Sequence, residues 1–191
     1  MRTAISFRTG PRVQPLIDSL ASRFAGLEGR SIRIHFRPVL TVHGRELLSN
    51  AGRGQPVHAG ALIRKREIVL ETELCASPRE LSRILIHELF HFAWVRLGNT
   101  RRDSYGRLVQ AEMAARARGE LGWSAELKKL DLDGLAEGVP WREYLCESFC
   151  DTAAFLYAGC RRHDEFTLAK KWRRRRAQWF RESLGGRVLS I

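Results

Sequence analysis

The sequence predicts an α+β fold in which a small N-terminal sheet of about three strands packs on a predominantly helical core. Three observations predict it. Alternation of apolar and polar residues with period two is confined to the stretch between Ser31 and Leu74. From Ser77 onward the apolar residues recur with a helical period. No repeat, low-complexity tract or Pro/Ser-rich linker interrupts the 191 residues. With 44% hydrophobic residues the chain can bury a core, and residues 1–191 read as one domain.

In chain order, Pro15 to Ala25 place Leu16, Ile17, Leu20 and Phe24 at helical spacing before Gly26 and Gly29 break the pattern. Ile32, Ile34 and Phe36 then alternate with Arg33 and His35 as a half-buried strand does, and Val39 to Val42 extend it beyond Pro38. Gly44 to Pro56 are rich in Gly and polar groups and read as a loop. Val57 to Ile63 and Ile68 to Leu74 read as two strands joined near Lys65 and Arg66, so the sheet is expected to lean antiparallel. Ser77 as N-cap, Pro78 in the first helical position and Glu80 as capping-box partner open a helix that Gly98 closes. Leu81, Ile84, Leu85, Leu89, Phe92 and Val95 give that helix enough apolar surface to lie in the core. Tyr105 to Arg118 and Ser124 to Leu130 read as more polar helices. Pro140 to Ala158, stopped by Gly159, reads as a second strong helix, and Asp164 to Leu184 as the last.

The formal charge of +12 is concentrated at the C-terminus, where residues 161–191 hold ten Lys/Arg against Asp164, Glu165 and Glu182. A basic C-terminal helix at about 164–184 would attract nucleic acid or an acidic protein partner. Trp172 and Trp179 lie seven apart on it, which also suits plain docking through the two indoles. No segment approaches a signal peptide or a membrane span, and a cytoplasmic protein is expected. The four cysteines show neither CxxC spacing nor the density of a disulfide scaffold. Reduced, buried thiols are the plain reading, although Cys146 and Cys150 would share a helix face and could bridge or bind metal.

Within the helix opened by Ser77 lies HELFH, His87 to His91. Residues four apart stand one turn above each other, so both imidazoles can reach one Zn²⁺ at roughly 2.0–2.1 Å. Glu88 is rotated about 100° from His87 and so lies beside the metal, placed as general base towards a metal-bound water. This is the HExxH pattern of zinc peptidases. Hydrogen-bonded core histidines are the alternative, but they would bury three polar side chains whose donors and acceptors all need partners.

A catalytic zinc needs a third protein ligand. The metzincin pattern is excluded because Trp94 and Leu97 stand where it requires glycine and histidine. His163, the one histidine after His91, lies beyond a predicted helix stop. In WREYLCESFCDTAAFLYAG, Glu143, Glu147 and Asp151 follow one another at i, i+4 along one face, while Leu145, Phe149, Ala153, Phe155 and Leu156 cover much of the rest. Glu147 and Glu143 are the candidate ligands, and an exposed acidic stripe is the alternative. Tyr144, Tyr157 and His163 are candidate donors to the tetrahedral oxyanion.

The arrangement resembles gluzincins, in which a glutamate on a later helix binds zinc and an aspartate one turn on orients a ligand histidine. That resemblance implies Glu147 as ligand and Asp151 as the acceptor for the N–H of a ligand histidine. The chain resembles in particular the ImmA/IrrE family of zinc peptidases, whose HExxH helix follows a short sheet and whose second signature runs ExxANxFAxxLL. Here that segment is ESFCDTAAFL. Glu147 and Ala154 take the ligand and small-residue positions, and Cys150 and Asp151 stand where the family has Ala and Asn. The resemblance covers about residues 57 to 158. It implies a zincin core, one Zn²⁺, and cleavage of a protein or peptide substrate such as a repressor-type regulator. The competing expectation is a non-enzymatic or DNA-associated binding protein acting through its basic C-terminal helix.

Overall fold

The structure, a computed structural model, describes residues 7–10, 14–21, 27–44, 46–49, 54–132, 136–186 and 188–191. The elements run β1 (Phe7–Arg8), α1 (Gln14–Ala21), β2 (Leu27–Glu28), β3 (Ile32–Arg37), β4 (Thr41–His43), β5 (Glu46–Leu48), β6 (Gln55–Pro56), β7 (Ala59–Leu62) and β8 (Glu67–Glu71). The helices α2 (Pro78–Arg96), α3 (Asn99–Ala114), α4 (Trp123–Leu130), α5 (Gly138–Tyr157) and α6 (Lys170–Leu184) follow, then β9 (Leu189–Ser190). The fold is α+β, as expected. Phe24, assigned to the first helix, lies outside the described residues.

The main sheet has four strands rather than about three, in the order β1-β3-β8-β7. It is also less antiparallel than expected, because β1 and β8 both run parallel to β3 and only β7 opposes its neighbour. A parallel pair needs a long crossover. The chain supplies one by building β4, β5, β6 and β7 between β3 and β8. The stretch expected as a loop, Gly44 to Pro56, contributes β5 and β6, which flank β4 in a small antiparallel sheet. Its signal was Gly44, which stands at φ 61° in the turn between the paired residues His43 and Glu46. The strand expected to reach Leu74 ends at Glu71 and gives way to a 3₁₀ turn, Thr72–Ala76.

Alternation places Ile32 and Ile34 of β3 and Ile68 and Leu70 of β8 in the core. Each such side chain contributes about 1.5–3 kcal/mol through its burial. Helix α2 packs on β7 and β8 on one side and on α5 on the other. Six consecutive residues, Leu85 to Phe90, are therefore buried, and two of them are His87 and Glu88. Pro78 opens α2 as predicted, but the capping box does not form. The Ser77 side chain makes no cap bond, and Glu80 pairs with Arg83 and His163 instead. Val95, expected in the core, is exposed.

Helix α6 docks through Trp172, Trp179, Phe180 and Leu184, with Phe180 stacked on Phe149 of α5 at 4.9 Å between centroids. Its opposite face carries the exposed cations Lys170, Lys171, Arg174, Arg175 and Arg181. The helix starts at Lys170 rather than Asp164, because Arg173 folds back to donate to the carbonyls of Phe166 and Leu168 and holds that segment out of helical form. Strand β9 pairs parallel with β2. Among the described residues no helix is long and apolar enough to cross a membrane.

Candidate metal centre

Packing of α2 against α5 brings two imidazoles and a carboxylate to one point. The Nε2 atoms of His87 and His91 are 3.2 Å apart. Glu147 Oε2 lies 3.2 Å from His87 Nε2 and 3.9 Å from His91 Nε2. Two metal bonds of about 2.0–2.1 Å at a tetrahedral angle separate their donor atoms by about 3.3 Å, so the set fits one small divalent ion. Three lone-pair donors turned towards one another repel unless a cation or protons lie among them. Burial opposes charge on both rings, yet Glu147 lifts His91 to about 9, and Asp151 together with Glu147 lifts His87 well above the usual range. Burial also opposes ionisation of Glu147, but His91 and His87 hold it down to about 2. Without metal, protons do the neutralising.

Behind this set, Asp151 Oδ1 lies 2.7 Å from His87 Nδ1, which leaves Nε2 of that ring to face Glu147. The other oxygen, Oδ2, accepts the Ala125 N–H at 3.0 Å and so ties the first turn of α4 to α5. This bond requires a bare backbone beside it. A Cβ built on Gly122 would stand 2.2 Å from Asp151 Cγ. The backbone there is extended, so the constraint is space and not conformation. Gly122→Ala is expected to push Asp151 off His87 and lower metal affinity about 10–100-fold, the usual effect of losing an outer partner. Competition against a chelating dye measures it, and unchanged affinity would show that Asp151 does not set the ring.

Glu88 is buried beside His87, and both line a cleft of about 580 Å³ that also reaches Asp151. Burial raises the Glu88 carboxyl above its ordinary range, against the pull of His91 and His87. One cleft wall is the chain from Gln55 to Ala59 that enters β7. The other is the start of α4, with Trp123 and Leu127. These two apolar side chains are 59% and 43% exposed, which makes the cleft mouth hydrophobic. The wall is held in place because Trp123 N–H donates to Glu165 Oε2 at 2.9 Å, and Arg83 grips Glu165 with both guanidinium arms at 2.9 and 3.1 Å.

The remaining sequence candidates lie elsewhere. Glu143 is exposed and pairs with Lys128 at 2.7 Å. Tyr144 is fully buried and donates its hydroxyl to Glu120. Tyr157 stacks on Phe90 at 5.5 Å between centroids. His163 lies 3.0 Å from Glu80 through Nε2 and accepts the Glu165 N–H through Nδ1. None of these four lines the cleft, whereas His58, which no motif marked, does. The cleft wall residues Trp123 and Leu127 carry no motif either. A small buried hydrophobe is the plain expectation for Cys146, with metal binding beside Cys150 as the alternative; its Sγ lies 3.3 Å from His91 Nδ1, so sulfur backs His91 where carboxylate backs His87. Its available signals were the i, i+4 spacing with Cys150 and its place beside Glu147.

Comparisons of the chain with protein-family models, with curated proteins and with solved structures return no match.

Proposed function

We propose that this chain is a zinc-dependent peptidase of the gluzincin type, similar to the ImmA/IrrE family, that hydrolyses a protein or peptide substrate. The observation that carries the reading is the convergence of His87 Nε2, His91 Nε2 and Glu147 Oε2, with His87 and Glu88 lining the cleft. When bound, zinc would supply the Lewis acidity that lowers the pKa of a water towards 7 and polarises a carbonyl. Glu88 accepts the proton of that water and returns it to the leaving amine, and its raised affinity for protons suits both transfers. Asp151 keeps His87 in the tautomer that offers Nε2. Strand β7 stands at the edge of its sheet and pairs with no further strand among the described residues, so an extended polypeptide can add to it. Trp123 and Leu127 favour an apolar side chain in that polypeptide.

The test is a zinc titration joined to an assay on an unfolded protein substrate. Binding of about one equivalent is expected, with hydrolysis that a chelator stops and zinc restores. Because His91 holds its proton up to a pH of about 9 in the metal-free chain, the ion must displace that proton at lower pH. Zinc affinity should therefore rise with pH up to about 9, and His87, which is also lifted well above the usual range, adds to the same rise. A chain that takes up no zinc across this range would overturn the reading.

A further inference from the structure

A second group of ligand atoms shares a residue with the first. His91, Cys146 and Cys150 hold ligating atoms that all lie within 4.8 Å of one another, and Cys146 Sγ is 3.3 Å from His91 Nδ1. His91 thus turns Nε2 to His87 and Glu147 and Nδ1 to the sulfurs. Metal–sulfur bonds of about 2.3 Å and metal–nitrogen bonds of about 2.0–2.1 Å at a tetrahedral angle put sulfur and nitrogen about 3.5 Å apart, close to the contact observed. The same i, i+4 geometry that lets His87 and His91 share an ion on α2 sets Cys146 and Cys150 on one face of α5.

A disulfide is the poorer use of this pair. On a helix the Cβ atoms of residues four apart stand about 5–6 Å from each other, whereas a disulfide requires about 3.5–4.5 Å. An ion between the sulfurs spans the gap without distorting α5. Cys150 is fully buried and Cys146 partly so, and the two thiolates make this set much softer than the imidazoles and carboxylate beside it.

We infer that His91, Cys146 and Cys150 form a second site, selective for a thiophilic d¹⁰ cation of the Cu(I) class, and that its occupancy expels zinc from His87, His91 and Glu147. A neutral imidazole has one lone pair in the ring plane, so His91 serves one ion at a time. Both sulfurs bind as thiolates, giving up to solvent any proton they still hold, and the remaining ring proton of His91 moves to Nε2. The soft site stands on the sulfurs alone, and only the expulsion rests on the proposed zinc centre.

The experiment adds Cu(I), as its acetonitrile complex under anaerobic conditions, to the zinc-treated full chain. A thiolate-to-copper charge-transfer band should grow and saturate at about one equivalent, with one zinc released per copper bound. The variant Cys146→Ser/Cys150→Ala, which keeps Cys75 and Cys160 as internal controls, should lose the band and release on copper addition none of the zinc it holds beforehand. Cys146→Ser alone, which leaves the buried Cys150 untouched, should lose about half the band and at least tenfold in copper affinity. No band in the parent chain, or an undiminished band in both variants, overturns the site. Copper bound with zinc retained overturns the competition. A copper band in a chain that never held zinc supports the soft site and counts against the peptidase reading, so the two failures are separable.

Discussion

Glu88→Gln is expected to keep zinc and lose about 10²–10⁴-fold in hydrolysis, the usual contribution of a positioned general base. The glutamine has the same shape and fills the same buried space, so α2 keeps its packing and His87 and His91 keep their positions. It cannot accept a proton from water at neutral pH, and that is the property the reaction needs. His91→Ala removes one of the three proposed ligands instead, and both zinc and hydrolysis should disappear. Zinc content and turnover measured side by side separate the two roles. Undiminished hydrolysis by the zinc-loaded glutamine variant would remove Glu88 from the mechanism.

The largest effect on stability is expected at Arg176, the last arginine of the run in α6. This side chain is fully buried, with Nη2 2.7 Å from Glu112 Oε2 and Nη1 2.7 Å from Glu120 Oε2. Glu120 is itself fully buried and takes further bonds from the Tyr144 hydroxyl and, at 3.2 Å, from Lys129 Nζ. The cluster joins α3, α5 and α6 through charges that have left water. Arg176→Met strands two carboxylates in the interior and should cost about 3–5 kcal/mol. At roughly 2–4 °C per kcal/mol for a chain of this size, the midpoint of thermal unfolding should fall by about 6–20 °C. Arg174→Met, two residues away on the exposed face of the same helix, should shift it by no more than about 2 °C. Equal shifts for the two variants would mean that the buried cluster contributes nothing particular.

That contrast marks where sequence reasoning stops. Arg173, Arg174, Arg175 and Arg176 are one run of identical letters, and composition assigns all four to a solvated basic face. Two lie exposed, one bonds carbonyls of its own chain, and one is the centre of the core's charge cluster. Helical period alone puts Arg176 on the same side as Trp172, Trp179 and Phe180. What it cannot supply is the pair of glutamates waiting there, because Glu112 and Glu120 come from a different part of the chain.

The centre itself was more legible. HELFH names two candidate ligands and a base because the interval is local, and Pro78 with Gly98 brackets a helix whatever the rest of the chain does. On the second helix the sequence offered three acids at equal spacing. The structure ranks them by depth, with Glu143 exposed beside Lys128, Glu147 partly buried at the histidines and Asp151 buried behind His87. The expected capping box failed for the converse reason, since Glu80 found a better partner in Arg83 than the bond that local geometry offered.

Neighbours a few residues apart are enough to specify the α2 and α5 helices, the shared face of His87 and His91, and the alternation that buries β3. Packing between distant segments is what brings Glu147, the acid that the resemblance singles out, to the histidines, stands sulfur behind His91, keeps Gly122 bare for Asp151 and walls the cleft with Trp123 and Leu127. The physical reason is range. A helical turn of about 5.4 Å is a property of the backbone, whereas the rotation and height at which α5 meets α2 come from summed packing of side chains scattered along the whole chain.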